Sequence, residues 1–452
     1  MSAPSAAERG QWGSRLGFIL AAAGSAVGLG NIWRFPYVTG QNGGAAFVVV
    51  YLACTLFICL PYLFAELALG RHRHKNPVGA INAIKGKSPW SLVGALCVLT
   101  GVFILSYYSV IAGWTIGYVA KTVVAPSLPF GEFVASPWLV VPLFTGFLLL
   151  TIYVVNGGVE KGIERWSKVL MPALLALILL VIFRSVTLPG AGEGLAFYLR
   201  PDFSKVNGEV ILAALGQAFF SLSLGMGAMI TYGSYLPKRE NIITSGSYVA
   251  IFDTTVAILA GFMIFPALFS IGAEPDAGPA LVFVVLPQVF ASLPLGTFIG
   301  IVFFLLLSIA ALTSTVSLLE VVVSYFVDER RWSRKKSVWV VGAITFLFGL
   351  PSALSQGAID ALSDMTYIFG ESGFFGQTDF LSVMDFIWGN LSLAIGALLI
   401  SIFVGWIWGA PRAVAELRRG SLFRGPLARG WSLAIRFLLP ISIFIVLITL
   451  LR

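Results

Sequence analysis

Apolar stretches long enough to cross a membrane recur along the chain, each closed off by a short polar or basic segment. They predict eleven helical spans: span 1 near 14–39, span 2 near 45–70, span 3 near 90–124, span 4 near 138–155, span 5 near 166–185 and span 6 near 210–236, then span 7 near 243–271, span 8 near 295–327, span 9 near 337–354, span 10 near 383–409 and span 11 near 431–451. A hydrocarbon core about 30 Å thick takes roughly 20 helical residues to traverse, which is the scale of these stretches. Two of them are interrupted from within. In span 1 the run GSAVGLGNIWRFP sets Gly24, Gly28 and Gly30 within two turns and then places Asn31 and Arg34 at membrane depth. Each glycine costs a helix roughly 1 kcal/mol against alanine. Polar side chains at that depth need a partner or a cavity, and non-helical backbone persists there only where protein or water covers it. In span 6 the run GQAFFSLSLGMGAMITYGSY again puts Ser221, Ser223, Gly225 and Gly227 in mid-span, and Gly225 follows Gly28 by 197 positions. Interruptions at corresponding places of two halves predict a binding site at the membrane midplane.

Composition narrows the class. Of 452 residues, 58% are hydrophobic and 11% charged, which excludes a soluble domain and predicts an all-α polytopic membrane protein. No cleavable signal peptide is expected, because the start is polar and the first apolar stretch runs too long. Cys54, Cys59 and Cys97 all fall in apolar spans, against a disulfide or metal role. His72 and His74 sit in the basic run RHRHK, which reads as solvated charge. The net charge of +8 reflects topology and predicts no nucleic-acid partner. With the N-terminus inside, 23 of the 29 Lys and Arg residues fall in cytoplasmic segments, and Glu193, Asp202, Glu274, Asp276, Asp360, Asp364, Glu371 and Asp379 fall in outer loops. The outer loop 272–293, rich in proline, reads equally as a lid that dips back or as a linker.

Three carboxylates remain at membrane depth, Glu66, Asp253 and Glu320. Glu66 is placed to accept hydrogen bonds from broken-helix amides, in a bracing role. Asp253 offers charge at a cation site, and Glu320 reads as partly solvated at the inner end of span 8. Span 8 also carries ALTSTVSLLE, where Thr313, Ser314 and Ser317 either bond back to their own helix or form, with backbone carbonyls, an all-oxygen nest for a hard monovalent cation.

GSAVGLGNIWRFP, the QNGG of residues 41–44, QAFFSLSLGMGA and ALTS together resemble the neurotransmitter:sodium symporter family, and within it the bacterial amino-acid transporters. The resemblance runs from Arg9 to about span 10. It implies one transmembrane domain with the LeuT-like inverted five-helix repeat (5+5). Repeat one spans about 14–185 and repeat two about 210–409, followed by an extra helix at about 431–451. It further implies two Na⁺, the first held by the residues matching Ala26, Asn31, Ser221 and Asp253, the second by those matching Gly24, Val27, Ala310, Thr313 and Ser314. Chloride-dependent relatives hold the anion with residues matching Tyr51, Gln217, Ser221, Asp253 and Ala257. A carboxylate and an alanine at two of those positions imply no chloride requirement.

The implied substrate pocket is lined by Ser25, Ala26, Leu29, Gly30, Ile104, Tyr108, Phe220, Ser221, Ser223, Met226, Ser314 and Leu318. Gly28 stands where monoamine carriers place an aspartate, leaving room and amides for a carboxylate, so a hydrophobic L-amino acid is expected. The resemblance assigns Arg34, Gln217 and Asp385 to an outer gate, and Arg9, Trp12, Tyr235 and Asp328 to an inner one. Gly162 and Pro172 in span 5 match the family's Gly-x9-Pro spacing, tied to unwinding; a static kink at Pro172 is the plain alternative. The expected activity is sodium-driven uptake of amino acids by alternating access across the inner membrane of a bacterium. Asp253 is expected to take a proton on the return step, and the chain to be a monomer or weak homodimer. A sodium-dependent sensor or channel, or a carrier of glycine, GABA or an amine, is the rival reading. Without a His or Cys cluster in the spans, an enzyme is not expected.

Overall fold

The structure is a computed structural model that describes residues 10–273, 281–291 and 294–451. All eleven expected spans are present: nine continuous ones, span 1 as a bent pair, and span 6 as two shorter helices. Span 1 is Arg15–Ala26 with Gly30–Gln41, span 2 Ala45–Arg73, span 3 Ser91–Val124, span 4 Pro137–Asn156 and span 5 Val159–Val186. Span 6 is Gly208–Ser221 with Ala228–Ser234. Spans 7 to 11 are Ile242–Phe269, Gly296–Arg330, Arg334–Leu354, Phe380–Leu417 and Gly425–Leu450. Spans 5, 10 and 11 run several residues further into the polar ends than hydrophobicity marks, because helix continues through their basic flanks.

The starts are set locally. Ser14, Asn207, Asn241 and Ser333 each accept a hydrogen bond from an amide in the first turn of spans 1, 6, 7 and 9, satisfying donors that a helix start leaves bare. Spans 3 and 8 form the central post and pack together along their length. Hydroxyls pair across the interfaces of this post: Thr115 with Ser308 at 2.7 Å and Thr151 with Thr315 at 2.9 Å. Such pairs join helices where apolar burial gives no preference over lipid. The inner half of span 6 lies hard against span 2. A Cβ at Gly70 would sit 1.9 Å from the Ile230 carbonyl, and one at Gly233 would sit 2.6 Å from that of Leu67.

Of loop 272–293, residues 274–280 and 292–293, which include Glu274 and Asp276, lie outside the described residues. Leu281–Ala291 is helical and turns inward. The Phe283 ring stacks on Phe130 at 5.5 Å and meets Trp33 at 6.1 Å, and its carbonyl accepts from the Tyr118 hydroxyl at 2.9 Å. The described part of the loop dips back onto spans 1 and 3.

Within the basic run RHRHK, Arg73 is exposed, but Arg71, His72 and His74 are not solvated charge. Arg71 is completely buried, with Nε 2.8 Å from Glu416 Oε1 at the inner end of span 10 and Nη1 2.5 Å from the Glu240 carbonyl. His72 packs on Trp408, with Nδ1 3.3 Å from Glu416 Oε2, and His74 Nδ1 meets the Ser234 carbonyl at 3.0 Å. The reason is tertiary: Glu416, 345 positions away, neutralises Arg71. Replacing Glu416 with alanine strands the guanidinium and is expected to cost about 3–5 kcal/mol; a clear drop in thermal transition of the purified protein, absent for Glu371→Ala, checks this.

Candidate transport site

Span 1 ends its first helix at Ala26, turns extended at Val27 (ψ 112°) and resumes as a wide turn, Gly30–Arg34, with its axis bent by 52°. The break exposes backbone groups that other elements take up. Gly28 N–H donates to Asn31 Oδ1 at 3.1 Å, Leu29 N–H donates to the Tyr108 hydroxyl at 3.0 Å, and the Ser25 carbonyl accepts from Ser223 Oγ at 2.8 Å. Gly28 is glycine for want of space: a Cβ there would lie 2.4 Å from Ser314 Oγ and 2.9 Å from the Tyr108 hydroxyl.

Span 6 breaks over residues 222–227. Ser223, Gly225 and Gly227 have φ of +53°, +86° and +79°. Ser223 is the strained one, since side-chain-bearing residues rarely occupy that region, and its hydroxyl is the group that ties break 6 to break 1. Gly225 N–H donates to Glu66 Oε1 at 2.9 Å, which matches the bracing role read for Glu66.

Two oxygen clusters flank the breaks. In the first, Asn31 Nδ2 donates to Asp253 Oδ1 at 2.7 Å and to Ser221 Oγ at 2.9 Å, and Ser221 Oγ donates to Asp253 Oδ2 at 2.8 Å. Asn31, Ser221 and Asp253 are fully buried and Ala26 nearly so. In the second, Ser314 Oγ lies 3.4 Å from the Val27 carbonyl and 3.3 Å from that of Ala310, and Thr313 Oγ1 lies 3.0 Å from the Ala310 carbonyl. A Cβ at Gly24 would sit 3.2 Å from the Thr313 Cβ, which places Gly24 against the same face. The back-bonded reading of ALTS is what the hydroxyls show, and Ser314 Oγ also faces the Ser25 and Val27 carbonyls of the span 1 break. Apart from the Asn31 amide nitrogen the polar groups of both clusters are oxygens, and among the described residues no group of three or more His, Cys, Asp and Glu could hold a metal ion; oxygen groups suit hard cations.

Between the clusters lies a cavity of about 40 Å³ lined by Ser25, Ala26, Gly30, Ile104, Tyr108, Phe220, Ser223, Met226, Ser314 and Leu318, with Gly28, Ser317 and Leu393 added. Leu29 instead lines a cavity of about 520 Å³ above it, and Ser221 sits in the first oxygen cluster. Leu393 carried no sequence signal: it is one leucine in the apolar middle of span 10, and only the close approach of Gly225 to its carbonyl, 2.4 Å from a built Cβ, brings it in.

Above the small cavity the Arg34 guanidinium lies 4.6 Å over the Phe220 ring. Arg34 and Asp385 both line the larger cavity and are linked through Asn390, which accepts from Arg34 Nη2 at 3.3 Å and donates to Asp385 Oδ2 at 3.3 Å. Asn390 was not foreseen. Gln217 Nε2 donates to the Gly30 carbonyl at 2.8 Å, so it props the span 1 turn.

On the inner side Arg9 lies outside the described residues. Trp12 Nε1 donates to the Tyr232 carbonyl at 3.0 Å, its ring packs edge-on against Tyr235, and Asp328 accepts from Asn76 Nδ2 at 3.0 Å. Glu320 is not partly solvated: it is fully buried, accepting from the Tyr235 hydroxyl at 2.6 Å and pairing with Arg334 Nη2 at 2.5 Å. Arg334, counted by its sequence among the cytoplasmic basic residues, reaches back to supply the counter-charge. In span 5, Gly162 lies in a wide helical turn, Val159–Glu164, and Pro172 inside the helix Arg165–Val186.

Two spans broken at mid-depth, crossing beside a cavity reached from one face and closed by packed aromatics on the other, define a secondary transporter. The chain belongs to the Sodium:neurotransmitter symporter family, whose model matches residues 9–138 and 138–452. It is 41% identical to the uncharacterized sodium-dependent transporter YhdH of Bacillus subtilis (strain 168), with 97% of each chain covered. It is 36% identical to an uncharacterized sodium-dependent transporter of Haemophilus influenzae (strain ATCC 51907 / DSM 11121 / KW20 / Rd), with 98% of each covered. Among solved structures, the crystal structure of MhsT in complex with L-phenylalanine matches with a TM-score of 0.87 and 45% identity, covering 98% of this chain and all of that one. The chain is thus a sodium-coupled membrane transporter and not an enzyme.

Proposed function

We propose that this transporter carries hydrophobic and aromatic L-amino acids into a bacterial cell across the inner membrane, with two Na⁺ as co-substrates, no chloride requirement and a cytoplasmic N-terminus. The observation that carries the proposal is the small cavity itself: backbone and hydroxyl groups on one side, Ile104, Phe220, Met226, Leu318 and Leu393 on the other, and no charged side chain in the lining. The Tyr108 hydroxyl accepts from Leu29 N–H, which leaves its own proton for a ligand carboxylate. The side chain then meets an apolar wall in which unbranched Met226 yields to large groups. MhsT, bound to L-phenylalanine in its crystal structure, is similar over its whole length.

The first Na⁺ is assigned to Ala26, Asn31, Ser221 and Asp253, the second to Gly24, Val27, Ala310, Thr313 and Ser314. The ligand carboxylate completes the first shell, so each raises the other's affinity. Asp253 takes over the charge that chloride supplies in relatives: Ser221 Oγ donates to its carboxylate at 2.8 Å and itself accepts from the Tyr51 hydroxyl at 3.4 Å. Outer closure draws Arg34 and Asp385 together around Asn390; inner opening releases Trp12 and Tyr235 from their partners. The two repeats, 14–185 and 210–409, are assigned as the inverted five-helix halves of one transmembrane domain.

Two measurements test this in proteoliposomes. Accumulation of labelled leucine is expected with an inward sodium gradient and to vanish when potassium replaces sodium, with tryptophan and phenylalanine competing and glycine, GABA and tyramine not. Uptake that persists in potassium would overturn the coupling, and competition led by glycine or tyramine the substrate class. Replacement of chloride by gluconate is expected to leave the rate within twofold; a larger fall removes the chloride assignment.

A further inference from the structure

We propose that the connector between spans 10 and 11 is a docking surface for anionic phospholipid headgroups, read through their phosphates. Residues 412–436 hold six arginines and one acid, Glu416. That acid is already engaged, buried against Arg71, with Arg419 Nε 3.5 Å from its second oxygen. Arg424 and Arg429 are exposed, and among the described residues no carboxylate lies within ion-pair distance of either. Arg418, whose Nε donates to the Phe423 carbonyl at 3.3 Å, is exposed beside them. Arg418, Arg424 and Arg429 therefore have no carboxylate partner among the described residues.

Apolar side chains stand among these charges. Leu422 is 90% exposed and Leu427 70% exposed, on either side of a buried Phe423. Leucines facing water alongside arginines make sense where hydrocarbon and headgroups meet. Length supports the same depth. Span 11 has 26 helical residues, about 39 Å at 1.5 Å per residue, against a core of about 30 Å. Its opposite end is apolar up to Leu451, so the excess falls on the Arg429 end and places Leu427 and Arg429 at headgroup level. The basic loop between spans 8 and 9 provides a contrast: Arg330, Arg331, Lys335 and Lys336 are exposed there, beside the acids Asp328 and Glu329 and without an exposed leucine. Positive charge alone serves topology; charge without acids, interleaved with bare leucines, fits a lipid surface. Arg419 also touches the buried Glu416–Arg71 pair, so a headgroup held here is coupled to the joint between spans 2 and 10.

The test uses the full-length protein in detergent, titrated with phosphatidylglycerol or phosphatidylcholine, with bound lipids counted by native mass spectrometry. The unaltered protein is expected to retain phosphatidylglycerol at least tenfold more tightly than phosphatidylcholine. The triple variant R418Q/R424Q/R429Q is expected to lose that preference, and the double variant L422Q/L427Q to weaken phosphatidylglycerol several-fold. The R330Q/R331Q/K336Q control is expected to stay within twofold. Equal retention of both lipids, an equal loss in the control, or displacement of the lipid by millimolar inorganic phosphate would each overturn the proposal.

Discussion

Replacing Gly28 with alanine is expected to weaken binding of a hydrophobic amino acid by about one to two orders of magnitude, with the fold intact. The added methyl would stand 2.4 Å from Ser314 Oγ and 2.9 Å from the Tyr108 hydroxyl, with the Ser314 Cβ itself only 3.4 Å away. Neither neighbour yields freely, since Ser314 Oγ is engaged with the Ala310, Val27 and Ser25 carbonyls and Tyr108 with the Leu29 amide. Over-packing of this kind costs about 1–3 kcal/mol, and 1.4 kcal/mol is a factor of ten. Because the strain falls on the two side chains that the proposal gives to the ligand carboxylate and to the second Na⁺, both affinities should fall together. Gly146→Ala, where a Cβ meets nothing within 4 Å, is the matched control. Equilibrium binding of labelled leucine at saturating sodium measures the first, and sodium titration the second. Unchanged binding in Gly28→Ala would move the site elsewhere.

Asp253→Ala is expected to raise the sodium concentration for half-maximal binding about a hundredfold. The carboxylate accepts from Asn31 at 2.7 Å and from Ser221 at 2.8 Å, in a place where all three side chains are sealed from solvent. Hydrogen bonds to a charged group contribute about 1.5–3 kcal/mol each, and removing the acceptor also leaves two buried donors unsatisfied. Asp253→Asn keeps an oxygen in place and is expected to shift the midpoint less than tenfold. The ordering alanine far above asparagine distinguishes a sodium ligand from a brace that only spaces spans 1, 6 and 7. If both variants titrate with sodium as the unaltered protein does, Asp253 is not part of a cation site. A thermal transition measured alongside separates lost binding from lost fold.

Much of the architecture was legible in hydropathy. Every expected span is found, because about 20 apolar residues in a row have few alternatives to crossing a bilayer. The breaks were legible for the opposite reason: Gly24, Gly28, Gly30, Gly225 and Gly227 gather where a helix has no use for them, and the polar Asn31 and Ser221 sit beside them. Which polar groups would meet was legible only through the resemblance. Asn31 and Asp253 are 222 positions apart, and no local pattern joins them.

Charge placement was the weak point. Arg71 and His72 read as solvated and Glu320 as partly so, and all three turned inward, since a buried charge is tolerated wherever a distant opposite charge arrives to meet it, and arrival is a property of packing. Arg71 waits on Glu416, and Glu320 on Arg334 and Tyr235. Asn390 between Arg34 and Asp385, and Leu393 beside the small cavity, belong to the same category. The sequence by itself determined the number of spans, where two of them break and which residue types stand at the breaks, because those follow from the short-range cost of glycine and the long apolar path through lipid. Only the tertiary structure decided which carbonyls and hydroxyls share a cluster, how Phe220 and Leu393 close the cavity, and which charges are buried in pairs. Each of these depends on distances between segments hundreds of residues apart, which packing alone brings within 3 to 4 Å.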